Sequence, residues 1–299
     1  MLTILFDGAA YGMLLFVLAC GLAVTLGLMN FVNLAHGAFA MAGGYITVVL
    51  VNRAGLPFWA GLVLAFLATA AIGAVLERTL YVHVYRKSPL DQVLFTIGLV
   101  FMSVAGVDWV MGSSQQFVQI PAALQGQFDV FGVGVGRYRL LIIAVCGVLT
   151  LLLQWVLTGT RFGSRLRAAV DDQRVARGLG INVGAVFAVT FAAGSGLAGL
   201  GGALGAEILG LDPTFPLKYM IYFLIVVTVG GASSITGPFL ASLLLGIADV
   251  TGKYYGGHDV RIFDYVVHIP DIGAFVIYTI MIVVLILRPQ GLFARGTAR

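Results

Sequence analysis

Charge is what this chain has least of. Asp, Glu, Lys and Arg make up 10% of its 299 residues, against roughly 25% in a soluble domain. With 60% of residues hydrophobic and a mean hydropathy of +1.02, one large soluble domain could not hide the apolar surface. Cysteine is almost missing. Cys20 and Cys146 each lie in an apolar run, without a CxxC or a His/Cys cluster, which argues against a disulfide framework or a zinc site. There is no GxxxxGK[ST] phosphate loop and no DNA- or RNA-binding motif, so nucleic acid is not an expected partner despite a net charge of +4. Residues 1–19 contain no Lys or Arg. The "VLAC" before Gly21 therefore lacks the basic start of a signal peptide, and Cys20 reads as a small packing residue.

What is present is a series of apolar runs at 5–28, 37–51, 58–76, 92–111, 138–158, 183–209, 216–232, 235–252 and 272–288. They predict an all-α polytopic membrane protein of about nine (eight to ten) transmembrane or re-entrant helices, in one membrane domain over 1–299. Several runs fall short of the ~20 residues a simple span requires. Short runs broken by glycine, in a chain with 40 glycines, suit helices interrupted around a cavity. "GSGLAGLGGALGA" (194–206) spaces small residues for close helix packing. "GGASSITGP" (230–238) makes either a tight hairpin or a re-entrant turn.

Arg161, Arg165, Arg167, Arg174 and Arg177 crowd one loop; Arg78, Arg86 and Lys87 crowd another; Arg288, Arg295 and Arg299 mark the C-terminus. At mid-bilayer the first five would cost more than ~12 kcal/mol, so that loop lies outside the hydrocarbon. The positive-inside rule makes all three regions cytoplasmic and counting back puts the N-terminus outside. Segments 112–136 and 253–270 then face the exterior, where Lys253, Asp259, Arg261 and Asp264 are candidate ion-pair partners for a docking protein; capped helix ends with interfacial tyrosines are the simpler alternative.

Three polar side chains interrupt the first apolar stretch. In "GLMNFVNLAHGAFAMAGGYITVVL" (27–50), Asn30, Asn33 and His36 either cap helix ends and bond a neighbouring carbonyl, or line a polar path at membrane depth. "NFVNLAHGAFAMAGGY" resembles the N-terminal signature of the branched-chain amino acid ABC transporter permeases, the LivH/LivM family. "RFGSRLRAAVDDQRVARGLGINV" (161–183) is similar to their cytoplasmic coupling segment, "VTVGGASSITGPFLASLLLG" (227–246) to their glycine-rich second half, and "LRPQGLF" (287–293) to their exit from the last helix. The organisation is closest to the shorter, LivH-type permeases. The resemblance implies a type II ABC importer-like fold and a permease that does no bond chemistry. It also implies a second permease (LivM-like), two cytoplasmic ATPase subunits, a periplasmic substrate-binding protein, and a place in the bacterial inner membrane among lipid. The missing phosphate loop agrees with ATP chemistry on another chain. The pathway is then expected along Asn30, Asn33, His36, Gly37, Gly43, Gly44, Tyr45, Gly230 and Gly231. One position departs from the family: Ala38 stands where many relatives have Glu, which leaves the cargo less defined than the fold.

The segment 161–183 supports a coupling role on its own residues. Ser164 is placed to cap a helix through Val170, Asp172 to cap a second over 173–177, and Gly178 to end it left-handed. Leu166, Ala169, Val170, Val175, Ala176 and Leu179 fall at helical spacing as apolar anchors between charges. Arg165, Leu166, Arg167, Val170, Asp171, Asp172, Arg174, Arg177 and Gly180 are the expected coupling residues; a basic loop that holds topology and touches anionic lipid is the alternative. Glu77 and Arg78 read as a surface pair, and Asp7, Asp108 and Glu207 as groups near the outer ends. Of the histidines, His83, His258 and His268 read as surface residues. The shortage of deep carboxylates disfavours an autonomous proton- or sodium-driven carrier, and no polar cluster suggests a membrane enzyme. An importer of urea, amides or aromatic acids stays open within the family.

Overall fold

The computed structural model describes residues 1–29, 31, 33–85, 87–130, 132–231, 235–256, 259–262, 265–268 and 272–292, with side chains left aside at 27–29, 130, 133, 259–262 and 265–268. Asn30, Arg86, His258, Asp264, Arg295 and Arg299 lie outside the described residues.

All nine apolar runs form helices. The first, α1 (Leu2–Met29), spans 28 residues, about 42 Å of rise. After it come α2 (His36–Val48), α3 (Phe58–Leu76), a short α4 (Val82–Val84), α5 (Pro89–Met111), α6 (Arg137–Gly159), α7 (Arg161–Asp171) and α8 (Gln173–Gly178). The remainder are α9 (Val183–Leu209), α10 (Phe215–Gly230), α11 (Thr236–Tyr255) and α12 (Gly273–Leu287). Five stretches are long and apolar enough to cross a bilayer: Leu2–Leu26, Phe58–Val84, Pro89–Met111, Arg137–Gly159 and Val183–Leu209. By contrast α2, α10 and α12 hold only 13, 16 and 15 residues.

The molecule is built around α1, whose residues from Leu14 to Ala23 are buried. Two helices run antiparallel to it. On one side α9 brings Gly194 to Gly21 and Gly205 to Leu14; on the other α11 brings Gly246 to Gly8 and Gly12, and Phe239 edge-on to Phe16 at 5.3 Å. Beyond α9, α3 packs Thr69 on Gly199 and Gly73 on Ser195. Gly21 with Gly194 and Gly246 with Gly12 need glycine because backbone meets backbone there, whereas Gly199 and Gly73 make room for the side chains of Thr69 and Ser195. At the periphery, α5 buries only Gln92, Thr96 and Val100, and α6 only Tyr138, Ile142 and Cys146. Each is a stripe at four-residue spacing, flanked by partly buried residues such as Phe95, Leu99, Leu141 and Val145, with the outer face of the helix exposed.

Two features depart from the sequence reading. The segments 112–136 and 253–270 are more than helix ends: each carries an antiparallel hairpin, β1 (Gln127–Val130) with β2 (Val133–Gly136) and β3 (Asp259–Ile262) with β4 (Tyr265–His268). Glu77 is not half of a surface pair. It is 4% exposed and accepts a hydrogen bond from the Tyr85 hydroxyl at 3.2 Å, because a π-turn at Glu77–Tyr81 rotates it inward.

Candidate functional site

The break after α1 returns the chain into the protein. Phe31 N–H donates to the Thr25 carbonyl at 3.2 Å, turning the backbone back on the helix it has just left. Asn33, 1% exposed, accepts from the Tyr81 hydroxyl at 3.2 Å. Tyr81 is itself wedged against Phe31, Phe95 and Phe191. The His36 ring nitrogen Nε2 bonds the Leu18 carbonyl at 2.8 Å, and its Cε1 fills the space left by the missing Cβ of Gly21. Leu18 is sixteen residues into α1 and eleven short of its end. Helix α2 therefore begins beside the middle of α1, at depth, and climbs back along α9 towards the Leu2 end.

In this arrangement His36 is a lock. It ties α2 to α1 where Gly21 meets Gly194 of α9, and Phe223 of α10 faces it edge-on at 6.3 Å. His36→Ala should destabilise the protein by on the order of 2–4 kcal/mol through the cavity and the lost hydrogen bond. Gly21→Ala should also destabilise, since its Cβ would sit 2.4 Å from His36 Cε1. The double variant should lose less than the sum of the two, because the shared clash is gone. Thermal unfolding of the three variants in detergent measures this, and strict additivity would contradict it.

The other positions expected on the path are buried too. At Gly43 a Cβ would lie 2.2 Å from the Gly199 carbonyl oxygen, at Gly44 2.7 Å from the tips of Leu211, and at Gly37 3.0 Å from Pro216. Tyr45 is 5% exposed, and its hydroxyl has no hydrogen-bond partner among the described residues. Gly230 presses on Pro238, and Gly231, at φ +86°, ends α10 in a conformation other residues resist. The C-terminal segment closes over this turn through Leu292 N–H to the Val229 carbonyl at 2.8 Å.

At the far end of α1, α7 and α8 form an elbow between α6 and α9. Thr160, not Ser164, caps α7: its hydroxyl accepts from Gly163 N–H at 3.3 Å. The helix starts at once after α6, so the cap belongs to the residue at the bend. Asp172 caps α8 as expected, accepting from Arg174 and Val175 N–H at 2.7 and 3.0 Å. The left-handed glycine is Gly180, at φ +80°, rather than Gly178, because α8 runs on through Gly178 before Leu179 closes it. Leu166, Ala169 and Ala176 are not free anchors. They are buried against Val183, Val186 and Phe187 of α9, with Val170 partly buried beside them. Arg167 donates to the Leu157 carbonyl and fixes α7 to the end of α6. What the elbow presents is Val175 and Leu179, 58% and 74% exposed, with Arg165, Asp171, Arg174 and Arg177 around them. Asp172→Ala should cost α8 about 1 kcal/mol, read as faster amide exchange over 173–178 with α7 unchanged.

The ion pairs gather at the opposite end. Asp7 pairs with Arg139, Asp212 with Lys218, and Asp249 with Lys253 at 2.6 Å. Among the described residues no ion pair involves the elbow arginines. Burial would raise the Asp212 carboxyl, but hydrogen bonds from Lys218 and Thr214 outweigh it and hold the group below its ordinary range. Backbone bonds between Gln116 and Leu211, and the Asn52 amide bridging Phe117 and Gln119, strap the loop after α5 across this end. Asp249, 1% exposed, escaped the sequence reading; its one sequence signal was Lys253 four residues on. Among the described residues no group of three His, Cys, Asp or Glu could hold a metal ion.

Residues 4–285 match the family described as the permease component of branched-chain amino acid transport systems. The high-affinity branched-chain amino acid transport system permease protein LivH of Escherichia coli (strain K12) is 26% identical over 305 aligned positions, covering 97% of this chain and 94% of its own. BraD of Pseudomonas aeruginosa, with the same description, is 26% identical over 97% of this chain and 95% of its own. LivM of Salmonella typhimurium is 24% identical over 96% of this chain and 69% of its own. Among solved structures, PsaBC from Streptococcus pneumoniae in complex with Fab has a TM-score of 0.50, covers 97% of this chain and 92% of its own, and is 16% identical. That likeness bears on the fold, an all-α polytopic one.

Proposed function

Because this chain belongs to the family of branched-chain amino acid transport system permease components, we propose that it is the membrane subunit of an ATP-driven ABC importer for branched-chain or related hydrophobic amino acids. It forms the translocation pathway with a second permease, receives cargo from a periplasmic binding protein, and is driven by two cytoplasmic ATPase subunits. The Leu2 end of α1 faces outward and the elbow inward, in the bacterial inner membrane, with the C-terminus cytoplasmic.

The observation that carries this reading is the elbow. Two exposed apolar side chains, Val175 and Leu179, stand among arginines that no described acid neutralises, on a support fixed to both α6 and α9. An apolar pair ringed by unpaired charge suits a groove of a partner protein better than solvent. Leu166, Val170, Asp172 and Gly180 shape the elbow, and Arg165, Asp171, Arg174 and Arg177 meet the partner. Rocking of the elbow moves α6 and α9 as levers, and α9 is the helix on which α2 and His36 sit. The break at Asn30, Asn33 and His36, with Gly37, Gly43, Gly44, Tyr45, Gly230 and Gly231, then opens to the path as α1, α2 and α10 part.

The test is transport by the complex purified from its native membrane through a tag on this chain. In vesicles with the receptor outside, labelled leucine should accumulate only when ATP is supplied on the elbow side. Accumulation without ATP would refute the importer reading.

A further inference from the structure

At the Leu2 end of α1 a cavity of about 360 Å³ opens among α1, α6, α9, α10 and α11, at the low end of the roughly 300–1,000 Å³ usual for small-molecule sites. We propose that it is a receiving site for a zwitterionic aliphatic α-amino acid, separate from the helix break. The proposal rests on the transport reading only for the aliphatic nature of the side chain; the zwitterion follows from the lining.

Two carboxylates, Asp7 and Asp249, and two cations, Arg139 and Lys253, line the cavity and form two ion pairs, Asp7 with Arg139 between α1 and α6 and Asp249 with Lys253 one turn apart on α11. The site is balanced in charge. A ligand with a net charge would leave one group in a partly desolvated space without a counter-ion, which is costly. A zwitterion exchanges partners without changing the sum: its ammonium takes the carboxylates and its carboxylate takes the cations.

The two signs differ in mobility, which is what such an exchange requires. The Asp249 and Asp7 side chains are 1% and 19% exposed and held by the helix packing, whereas Lys253 and Arg139 are 50% and 42% exposed on long stems. The cations swing away and the carboxylates stay. Tyr11, Tyr219 and Tyr222 are among its lining, and the Lys253 ammonium already lies 5.3 Å from the Tyr11 centroid, a position that favours any amine. Ile208, Leu209 and Val250 give the lining an apolar part that suits a branched side chain.

Ion pairs kept only to brace the helices would bind nothing, and this separates the two roles. The complex purified through this chain, free of receptor and held in lipid nanodiscs, is titrated with labelled leucine. Saturable binding is expected at up to millimolar leucine, displaced by valine and isoleucine but not by leucinamide or isovalerate, which carry one charge each. Arg139→Gln and Lys253→Gln, both at half-exposed side chains, should each weaken binding about tenfold or more, with an unchanged size-exclusion profile showing that the complex is folded. Asp249→Asn should abolish it. Absence of saturable binding, or binding in both half-exposed variants as tight as in the unsubstituted complex, overturns the site. Uptake reads the transport proposal separately: a complex that imports leucine under ATP yet shows no receptor-free binding refutes only the cavity. One that binds leucine here yet never imports it refutes only the importer.

Discussion

Gly43→Val and Gly202→Val should each leave almost no folded protein after gentle heating in detergent. A Cβ at Gly43 would lie 2.2 Å from the Gly199 carbonyl oxygen and 2.3 Å from its Cα, and one at Gly202 would lie 1.9 Å from the Ala40 carbonyl oxygen. All of these neighbours are backbone, so no side chain can turn aside. Helices α2 and α9 would have to separate along their whole contact, carrying His36 away from Leu18. Overpacking a core usually costs about 1–3 kcal/mol, and this clash should exceed the upper figure. Gly44, where a Cβ would meet the movable tips of Leu211 at 2.7 Å and the Gly202 carbonyl oxygen only at 3.2 Å, and Gly37, which approaches Pro216 at 3.0 Å, should tolerate alanine better than Gly43 does. Gly98→Val on α5, where nothing lies within 4 Å, should change stability by less than about 0.5 kcal/mol. Size-exclusion profiles after a temperature ramp give the order directly; a Gly43→Val protein as robust as Gly98→Val would mean that α2 and α9 do not touch as described.

The second large effect concerns the elbow. Val175→Asp with Leu179→Asp should leave insertion and folding intact, since both side chains are largely exposed, yet remove transport. Burying two carboxylates where a partner expects methyl groups should weaken docking by at least ~2 kcal/mol, about thirtyfold. ATP-dependent uptake should fall accordingly, and the ATPase subunits should dissociate on dilution. Arg167→Ala should behave differently. Its guanidinium holds α7 to the Leu157 carbonyl, so its loss loosens the elbow itself and lowers thermal stability along with uptake.

The apolar runs were legible because a bilayer allows few alternatives: each of the nine became a helix. Asp172 was legible as a cap because its neighbours leave it no other role. The local endings were not. Thr160 and Ser164 both precede acceptable first turns, and only the bend after α6 selects Thr160. Gly178 and Gly180 both fit a left-handed end, and the helix chose the later one. Which anchors are spent was also hidden: Leu166, Ala169 and Ala176 follow the same spacing as Val175 and Leu179, and only the start of α9 shows which of them it covers. The depth of His36 is a tertiary fact, fixed by a carbonyl eighteen residues earlier. The cavity at the Leu2 end of α1 draws Asp7, Arg139, Tyr219 and Asp249 from four helices far apart in the chain, a grouping that no spacing announces.

If the driving force enters through the elbow, a photo-crosslinking residue placed at position 179 of the assembled complex should form an adduct with an ATPase subunit, in a yield that changes between the nucleotide-free and ATP-bound states. An adduct only with lipid, or labelling from the exterior face, would show that the elbow is not where the drive enters.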